Sequence, residues 1–309
     1  MLTNAGVVAG AAATAWTAPD PAEACVEPKT FGLCLNTSTI RGQGLGLVEE
    51  IEIAAKAGYQ GIEPWVREID EYVQKGGSLD DLRKRISDMG LSVESAIGFP
   101  QWIVDDDERR AKGMEEAKRN MDLVQRIGGK RLAAPPAGAT DQAGMDLLAA
   151  ADRYRALLEL GDQMGVVPQL ELWGFSKTLS RLGECAMVAI ESRHPRACLL
   201  LDVYHLYKGG SEFSSLHLLR GSALHVIHMN DYPATPPRSE ISDAHRVYAG
   251  DGVAPLVAIL RELWDIGFRG MLSLELFNRD YWKQDALTVA RTGLQKMRDA
   301  VSRAVETAK

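Results

Sequence analysis

An α/β fold, a single-domain (β/α)8 TIM barrel, is predicted by three features of this 309-residue sequence. Eight short apolar runs typical of β-strands occur after residue 30, and each is followed by material with helical spacing. No stretch rich in Pro, Gly and Ser divides the chain into two domains. A doubly wound sheet shows the same alternation, but the length that remains after residue 30 is close to the ~250 residues typical of the barrel.

The predicted strands and helices follow one another along the whole chain. The strands cover residues 31–36, 59–63, 91–97, 130–134, 166–172, 197–202, 224–230 and 271–276. The helices cover residues 47–58, 107–127, 145–164, 176–191, 254–266 and 284–306. The first helix has apolar residues near positions i, i+4 and i+7 and closes with Gly58, a residue type that favours the C-cap. The acidic residues at 105–108 open the second helix, where negative charge is favourable.

Composition and charge narrow the classes of partner. Hydrophobic residues make up 46% of the chain and charged residues 25%, with a formal net charge of -7. This acidic balance argues against nucleic acid, and it suits a small neutral substrate, or an anionic one that a local cation receives. No run of 18 apolar residues follows residue 30, so no membrane span is predicted there. The four cysteines form no C-x-x-C pair, which argues against a disulfide framework and a structural zinc site.

The N-terminal segment 1–28 differs from the rest of the chain. It is small and apolar (LTNAGVVAGAAATAW), and A-E-A at 22–24 precedes Cys25, as in an export signal with its cleavage site. No Lys or Arg precedes Lys29, so the usual positive region is missing. We expect an export-signal-like segment and a periplasmic protein, with a disordered tail on a cytoplasmic protein as the alternative. The barrel is expected to occupy residues 29–309.

Four successive predicted strands end in residues that bind metal ions. Strands five to eight end with Glu171, Asp202, His228 and Glu275. The active site of a (β/α)8 barrel lies at these carboxyl ends, so the four side chains are expected to converge. Three carboxylates at one place repel each other unless a cation neutralises them. With one imidazole, the set suits Mn²⁺ first and also Mg²⁺ or Co²⁺, whereas zinc more often takes additional nitrogen or sulfur ligands and remains an alternative.

Five motifs carry a resemblance to a known family. They are L-E-L-W around Glu171, L-L-D-V-Y-H around Asp202 and His205, H-M-N-D-Y-P around His228, R-V-Y-A-G-D-G at 246–252, and L-S-L-E-L-F around Glu275. From about residue 30 to 300 the chain resembles the xylose-isomerase-like TIM-barrel superfamily of sugar isomerases and epimerases. That group includes ketose 3-epimerases, hydroxypyruvate isomerases, inosose dehydratases and inosose isomerases. The first half of the chain matches only in general pattern.

The resemblance implies a role for each matching residue. Glu171, Asp202, His228 and Glu275 would bind the metal, and His205 and Arg246 would bind substrate. Glu171 and Glu275 would also act as the catalytic acid and base. The implied activity is that of a divalent-metal-dependent sugar isomerase or epimerase, which removes a proton next to a carbonyl and forms a metal-stabilised enediolate.

Three other functions are considered beside this one. A dehydratase or lyase that catalyses β-elimination on an inosose or a 3-keto-sugar is the main alternative. An apurinic endonuclease of the same superfamily needs further histidines early in the barrel, and no histidine precedes His194. A non-catalytic sugar-binding barrel would be expected to lack a metal ligand, and none of the four is missing.

The first half of the chain offers weaker candidates for the site. Glu63 and Trp65 end the second strand in G-I-E-P-W and are expected to bind substrate. A tryptophan at this position can stack on the apolar face of a sugar ring, or it can pack in the core. Asn36 ends the first strand and could form a polar wall. The predicted partner is a small sugar or keto-sugar, and the sequence leaves homo-oligomer formation open.

Overall fold

Eight parallel β-strands with helices between them form the predicted (β/α)8 barrel in a computed structural model that describes residues 31–306. The strands are β1 Gly32–Asn36, β2 Gly61–Glu63, β3 Ser92–Val93, β4 Arg131–Ala134, β5 Val167–Glu171, β6 Leu199–Asp202, β7 Leu224–Met229 and β8 Met271–Leu274. The predicted fold class is therefore confirmed. The export-signal-like segment 1–28 lies outside the described residues and stays a prediction.

Helices connect the strands on the outside of the barrel. They are α1 Leu47–Ala57, α2 Val66–Gln74, α3 Leu79–Asp88, α4 Asp107–Arg126, α5 Leu147–Met164, α6 Leu182–Glu191, α7 Val203–Gly209, α8 Leu256–Asp265 and α9 Ala286–Glu306. Six of them lie where the sequence predicts a helix, whereas α2, α3 and α7 were not predicted. Within residues 31–306, no helix is both long and apolar enough to cross a membrane.

The strands follow the order β3-β2-β1-β8-β7-β6-β5-β4, and neighbours pair in parallel. The ring closes between β3 and β4 through a single parallel bridge that joins Ala96 to Leu132. The Ala96 amide donates to the Arg131 carbonyl at 3.1 Å, and the Ala133 amide donates to the Ala96 carbonyl at 2.9 Å. Closure places all eight strand ends around one mouth, because every strand runs in the same direction.

Two local structures differ from the sequence prediction for physical reasons. Helix α6 begins at Leu182 rather than at 176, because side-chain bonds hold the preceding residues in a loop. The Thr178 amide donates to the Ser176 hydroxyl at 3.1 Å, and the Thr178 hydroxyl donates to the Gln142 carbonyl at 2.5 Å. Such local bonds compete with helix formation. Helix α3 begins after Ser78, whose hydroxyl accepts from the Asp81 amide as an N-cap.

The core has two parts. Most buried apolar side chains pack between the strands and the surrounding helices. A smaller cluster inside the barrel contains Trp65, Ile97, Ala133, Leu200 and Val226. This inner cluster lies below the mouth and supports the polar residues that end the strands.

Candidate metal centre and its cavity

The four predicted ligands converge at the carboxyl ends of β5 to β8. Glu171 and Asp202 are the last residues of β5 and β6, His228 is the penultimate residue of β7, and Glu275 directly follows β8. Asp202 pairs with His228 across the sheet, so both side chains lie at the same level. One ligand atom from each of Asp202, His228 and Glu275 lies within 4.8 Å of the others. These three residues form a group that could hold a metal ion, and Glu171 adjoins it.

The ring of His228 is held at one nitrogen and faces three carboxylates with the other. Its Nε2 lies 3.1 Å from Oε2 of Glu63. Its Nδ1 lies 3.2 Å from Glu275 Oε2, 3.7 Å from Asp202 Oδ2 and 3.7 Å from Glu171 Oε1. The Glu63 bond therefore orients the ring so that Nδ1 points into the carboxylate group.

Glu63 is completely buried at the end of β2 and does not line the cavity. Its Oε2 accepts from the Asn36 amide at 2.9 Å and from the Ser273 hydroxyl at 2.7 Å, besides its contact with His228. The Asn36 amide also lies 3.3 Å from Glu275 Oε1, and Asn36 Oδ1 accepts from the Trp65 indole at 3.0 Å. The early strands thus contribute a hydrogen-bond network beneath the four predicted ligands.

Arg246 is a buried cation shared by several acidic groups. Its Nη1 donates to Asp202 Oδ2 at 2.7 Å and to Glu275 Oε2 at 2.8 Å. Its Nη2 lies 3.1 Å from His205 Nε2 and donates to Asp243 Oδ1 at 2.5 Å. Asp243 was missed in the sequence analysis, although it lies three residues before Arg246.

The loop that carries Arg246 is fixed by the carboxylate of Asp231. Asp231 accepts four backbone N–H bonds, which come from Tyr232, Gly250, Gly252 and Ala254 at 2.7–3.1 Å. An antiparallel bridge also joins Asp231 to Val247, next to Arg246. A Cβ atom on Gly252 would clash with the Asp231 carboxylate and the Tyr232 carbonyl oxygen, so this position requires glycine. The two motifs around residues 228–231 and 246–252 are therefore held together by hydrogen bonds to Asp231.

Asp202 also places His205. Its Oδ1 accepts from the His205 amide at 2.8 Å and so caps the N-terminus of α7. Its Oδ2 accepts from the Asn230 amide at 3.0 Å. The same carboxylate thus ends a strand, begins a helix and positions a histidine whose side chain reaches the cavity wall.

The pKa values of the titratable groups at the centre are shifted in different directions. Burial, together with the charges of Glu275 and Asp202, raises the pKa of Glu171 to about 8. Burial opposes ionisation of Glu275 as well, but His228 and Arg246 outweigh it and lower the pKa of Glu275 below its usual range. Burial lowers the pKa of His205 to about 4, so this ring is neutral at pH 7. Two carboxylates with different proton affinities in one site can act as an acid and a base.

A cavity of about 430 Å³ opens above the centre at the mouth of the barrel. Of the predicted site residues, Trp65, Glu171, His205, Arg246 and Glu275 line it. Glu63, Asp202 and His228 are not part of its wall. Aromatic side chains form much of the remaining wall, and the sequence analysis gave them no role: they are Phe99, Trp173, Phe175, Phe277 and Trp282. Trp173 and Phe277 end two of the five motifs, and Phe99 and Phe175 lie shortly after a predicted strand end.

Comparison with known proteins assigns the fold to a family. Residues 51–300 match the family described as xylose isomerase-like TIM barrel. The chain belongs to this family. The resemblance drawn from the five motifs is therefore confirmed, and the match also covers strands β2 to β4, which contain none of the five motifs.

Relatives in this family have more than one activity. An inosose isomerase of Bacillus licheniformis is 26% identical over 287 residues, which cover 88% of this chain and 98% of that protein. A 3-dehydroshikimate dehydratase of Pseudomonas putida is 24% identical over 252 residues, or 81% of this chain. The chain spans only 39% of the length of that dehydratase. The crystal structure of the IOLI protein with a bound zinc atom superimposes with a TM-score of 0.82 at 24% identity, over 89% of this chain and 99% of that one. These relatives include enzymes, which supports an enzyme of this superfamily here.

Proposed function

We propose that this protein is a divalent-metal-dependent isomerase or epimerase of a small keto-sugar. The observation that supports this proposal is the convergence of three carboxylates and one imidazole at one end of the barrel, with Glu171 and Glu275 lining the cavity. The inosose isomerase relative, which this chain matches over nearly its full length, supports the same class of reaction.

The residues of the centre fit a divalent ion. His228 Nδ1 and Glu171 Oε2 are buried and have no hydrogen-bond partner among the described residues. Four carboxylates, those of Glu63, Glu171, Asp202 and Glu275, are buried at this centre, and the Arg246 guanidinium contacts two of them, Asp202 and Glu275. One nitrogen and three oxygen donors suit Mn²⁺, Mg²⁺ or Co²⁺, and a related structure contains zinc. When bound, the ion would supply positive charge that stabilises negative charge developing on substrate oxygens.

The proton transfers are assigned to Glu171 and Glu275. Both carboxylates border the cavity, and their different pKa directions suit one for taking a proton and the other for returning it. Proton return to the opposite face of the same carbon inverts it, whereas return to the neighbouring carbon moves the carbonyl. His205 and Arg246 both line the cavity, so both are proposed to bind substrate oxygens.

Glu63 is assigned a positioning role in place of substrate binding. Its carboxylate has no exposed surface and is engaged by His228, Asn36 and Ser273. A carboxylate that accepts from the second nitrogen of a histidine ligand fixes the tautomer and the orientation of the ring. Trp65 keeps the predicted substrate-binding role, since its ring borders the cavity.

β-Elimination is the second candidate reaction, and the dehydratase relative favours it. Both reactions begin with removal of a proton next to a carbonyl, and they differ in whether a β-hydroxyl then leaves. The same two glutamates and the same cavity serve either outcome. The choice therefore depends on substrate and not on the residues of the centre alone.

Incubation with a panel of ketoses, inososes and 3-keto-glycosides in deuterated water separates the candidates. We expect deuterium to enter the carbon next to the carbonyl without loss of water, as detected by NMR and mass spectrometry. Loss of water or of the group at the β-carbon would assign a lyase instead. Absence of both exchange and elimination across the panel, with Mn²⁺, Mg²⁺, Co²⁺ or Zn²⁺ added, contradicts the proposed function.

A further inference from the structure

A continuous row of aromatic rings covers one side of the cavity. The row, here named the aromatic belt, consists of Phe277, Trp65, Phe99, Trp173 and Phe175. Successive ring centroids are 6.1, 5.1, 5.4 and 5.2 Å apart. At its far end, Phe175 lies 5.7 Å from the ring of His205. The belt therefore connects the loops after β8, β2, β3 and β5 and ends at α7.

The outer rings of the belt are more exposed to solvent than Trp65. Trp65 packs into the inner cluster of the barrel and is 9% exposed. Phe99 and Phe175 are 36% and 48% exposed, although both are large apolar side chains. Exposed aromatic surface in a concave site is a common sign of ligand binding, because contact with a ligand removes it from water.

The cavity wall also contains polar residues. They are Ser242, Asp243, Arg246 and Arg279, and the Arg246 guanidinium lies 5.1 Å from the ring centroid of Phe277. A ligand in this cavity thus meets both hydrogen-bonding groups and flat aromatic faces. A carbohydrate ring matches both, since its hydroxyl groups are polar and its C–H faces are apolar.

The reacting sugar occupies only the deep part of the cavity. Its carbonyl must reach Glu171 and Glu275, and Glu275 is linked to Trp65 through Asn36, which contacts both. Trp65 is buried, Trp173 is half-buried, and Phe99 and Phe175 are exposed, so the exposed rings lie on the solvent side of the belt. The volume of about 430 Å³ falls in the range of pockets that enclose drug-sized ligands.

We propose that the outer belt is a subsite for a second ring, so that the substrate is a keto-sugar joined to that ring by a glycosidic bond. The placement of the reacting sugar rests on the proposed function. Phe99, Trp173 and Phe175 bind the second ring through its flat apolar face. An aromatic aglycone and a second sugar both offer such a face, and the experiment below distinguishes them.

Binding of unreactive glycosides to the purified protein tests the subsite. Methyl glucoside, phenyl glucoside and a glucose disaccharide are titrated by calorimetry, with tryptophan fluorescence as a second readout of Trp65 and Trp173. We expect at least one two-ring ligand to bind about tenfold more tightly than methyl glucoside, as burial of one ring face implies. If only phenyl glucoside binds more tightly than methyl glucoside, the second ring is aromatic. If only the disaccharide binds more tightly, the second ring is a sugar.

Two variants and one matched control decide whether the belt is responsible. Phe99→Ala and Phe175→Ala should each remove most of the preference for two rings. Leu148→Ala, at an exposed apolar residue that does not line the cavity, should keep it. Equal binding of all three ligands, no measurable binding of either two-ring ligand, or a preference that persists in both phenylalanine variants overturns the proposal. A retained two-ring preference without deuterium exchange would reject the reaction and keep the subsite.

Discussion

The floor and the rim of the cavity are built in opposite ways. The floor, formed by Glu63, Glu171, Asp202, His228, Arg246 and Glu275, is charged, buried and cross-linked by short polar contacts. The rim is the outer aromatic belt, Phe99, Trp173 and Phe175, which is apolar and partly exposed. Five of the six floor residues lie at strand ends or directly next to them and Arg246 lies on a loop, whereas all three rim residues lie on loops.

This difference separates reaction from selection. Strand ends hold their side chains in fixed register, as acid–base chemistry and metal binding require. Loops vary more easily, so they are suited to selecting a substrate around an unchanged floor. The relatives are consistent with this division, because one family contains both an isomerase and a dehydratase.

Replacing a floor carboxylate should have the largest effect on activity. Glu275→Gln keeps the shape of the side chain but removes its charge and its ability to accept a proton. We expect turnover to fall by at least about 10²-fold, the usual contribution of a positioned acid or base. Initial rates on the substrate found in the panel measure this, and circular dichroism checks the fold. A folded variant with near-full activity would contradict the assigned role.

Replacing Glu63 tests whether metal binding at the floor depends on the contact between Glu63 and His228. Glu63→Gln should weaken binding of Mn²⁺ by about 10–100-fold, because the His228 ring loses its charged partner. Competition with a chromogenic chelator measures the dissociation constant without any assay of activity.

Glu50→Gln is the matched control for this experiment. Glu50 is also buried, but it lies on α1 and contacts none of the predicted ligands in the described structure. Its replacement should leave the affinity unchanged. Equal affinity of wild type and Glu63→Gln would reject the positioning role, and a wild type that binds no divalent ion would reject the metal centre itself.

The floor was largely predictable from the sequence, and the rim was not. Glu171, Asp202, His228 and Glu275 follow apolar strand patterns, and the barrel brings all such ends to one mouth. The role of Glu63 depends on His228, which is 165 residues away in sequence, so no local pattern reveals the contact. Helix α7 was not predicted, because its N-cap residue, Asp202, is also the last residue of a strand.

The positions of the rim residues depend on the paths of loops, which the sequence pattern does not predict. Phe99 follows a strand of only two residues, and Phe175 lies one residue before the predicted start of helix α6 at residue 176. Side-chain bonds of Ser176 and Thr178 hold that segment in a loop. Aromatic residues in such places are equally consistent with packing, and only the ring distances reveal a continuous surface.

A buried carboxylate that belongs to neither region completes the comparison. Burial, with the nearby charge of Glu68, raises the pKa of Glu50 from 4.5 to about 8. Glu50 Oε2 has no hydrogen-bond partner among the described residues. Below pH 4.5 both the folded and the unfolded states carry the proton, whereas above pH 8 the folded state must bury a charge. The free energy of unfolding should therefore fall as pH rises through this range.

Glu50→Gln should remove this dependence, which is the smallest effect expected here. Relative to wild type, the variant should gain at least about 1.4 kcal/mol of stability between pH 5 and pH 9, the equivalent of one pKa unit. Urea unfolding at both pH values measures the difference. If the gain is absent, burial with an acidic neighbour does not raise the pKa of Glu50, and the raised pKa of Glu171 needs another cause. If the gain appears, burial with an acidic neighbour is sufficient, and Glu275 differs from Glu50 because His228 and Arg246 compensate its charge.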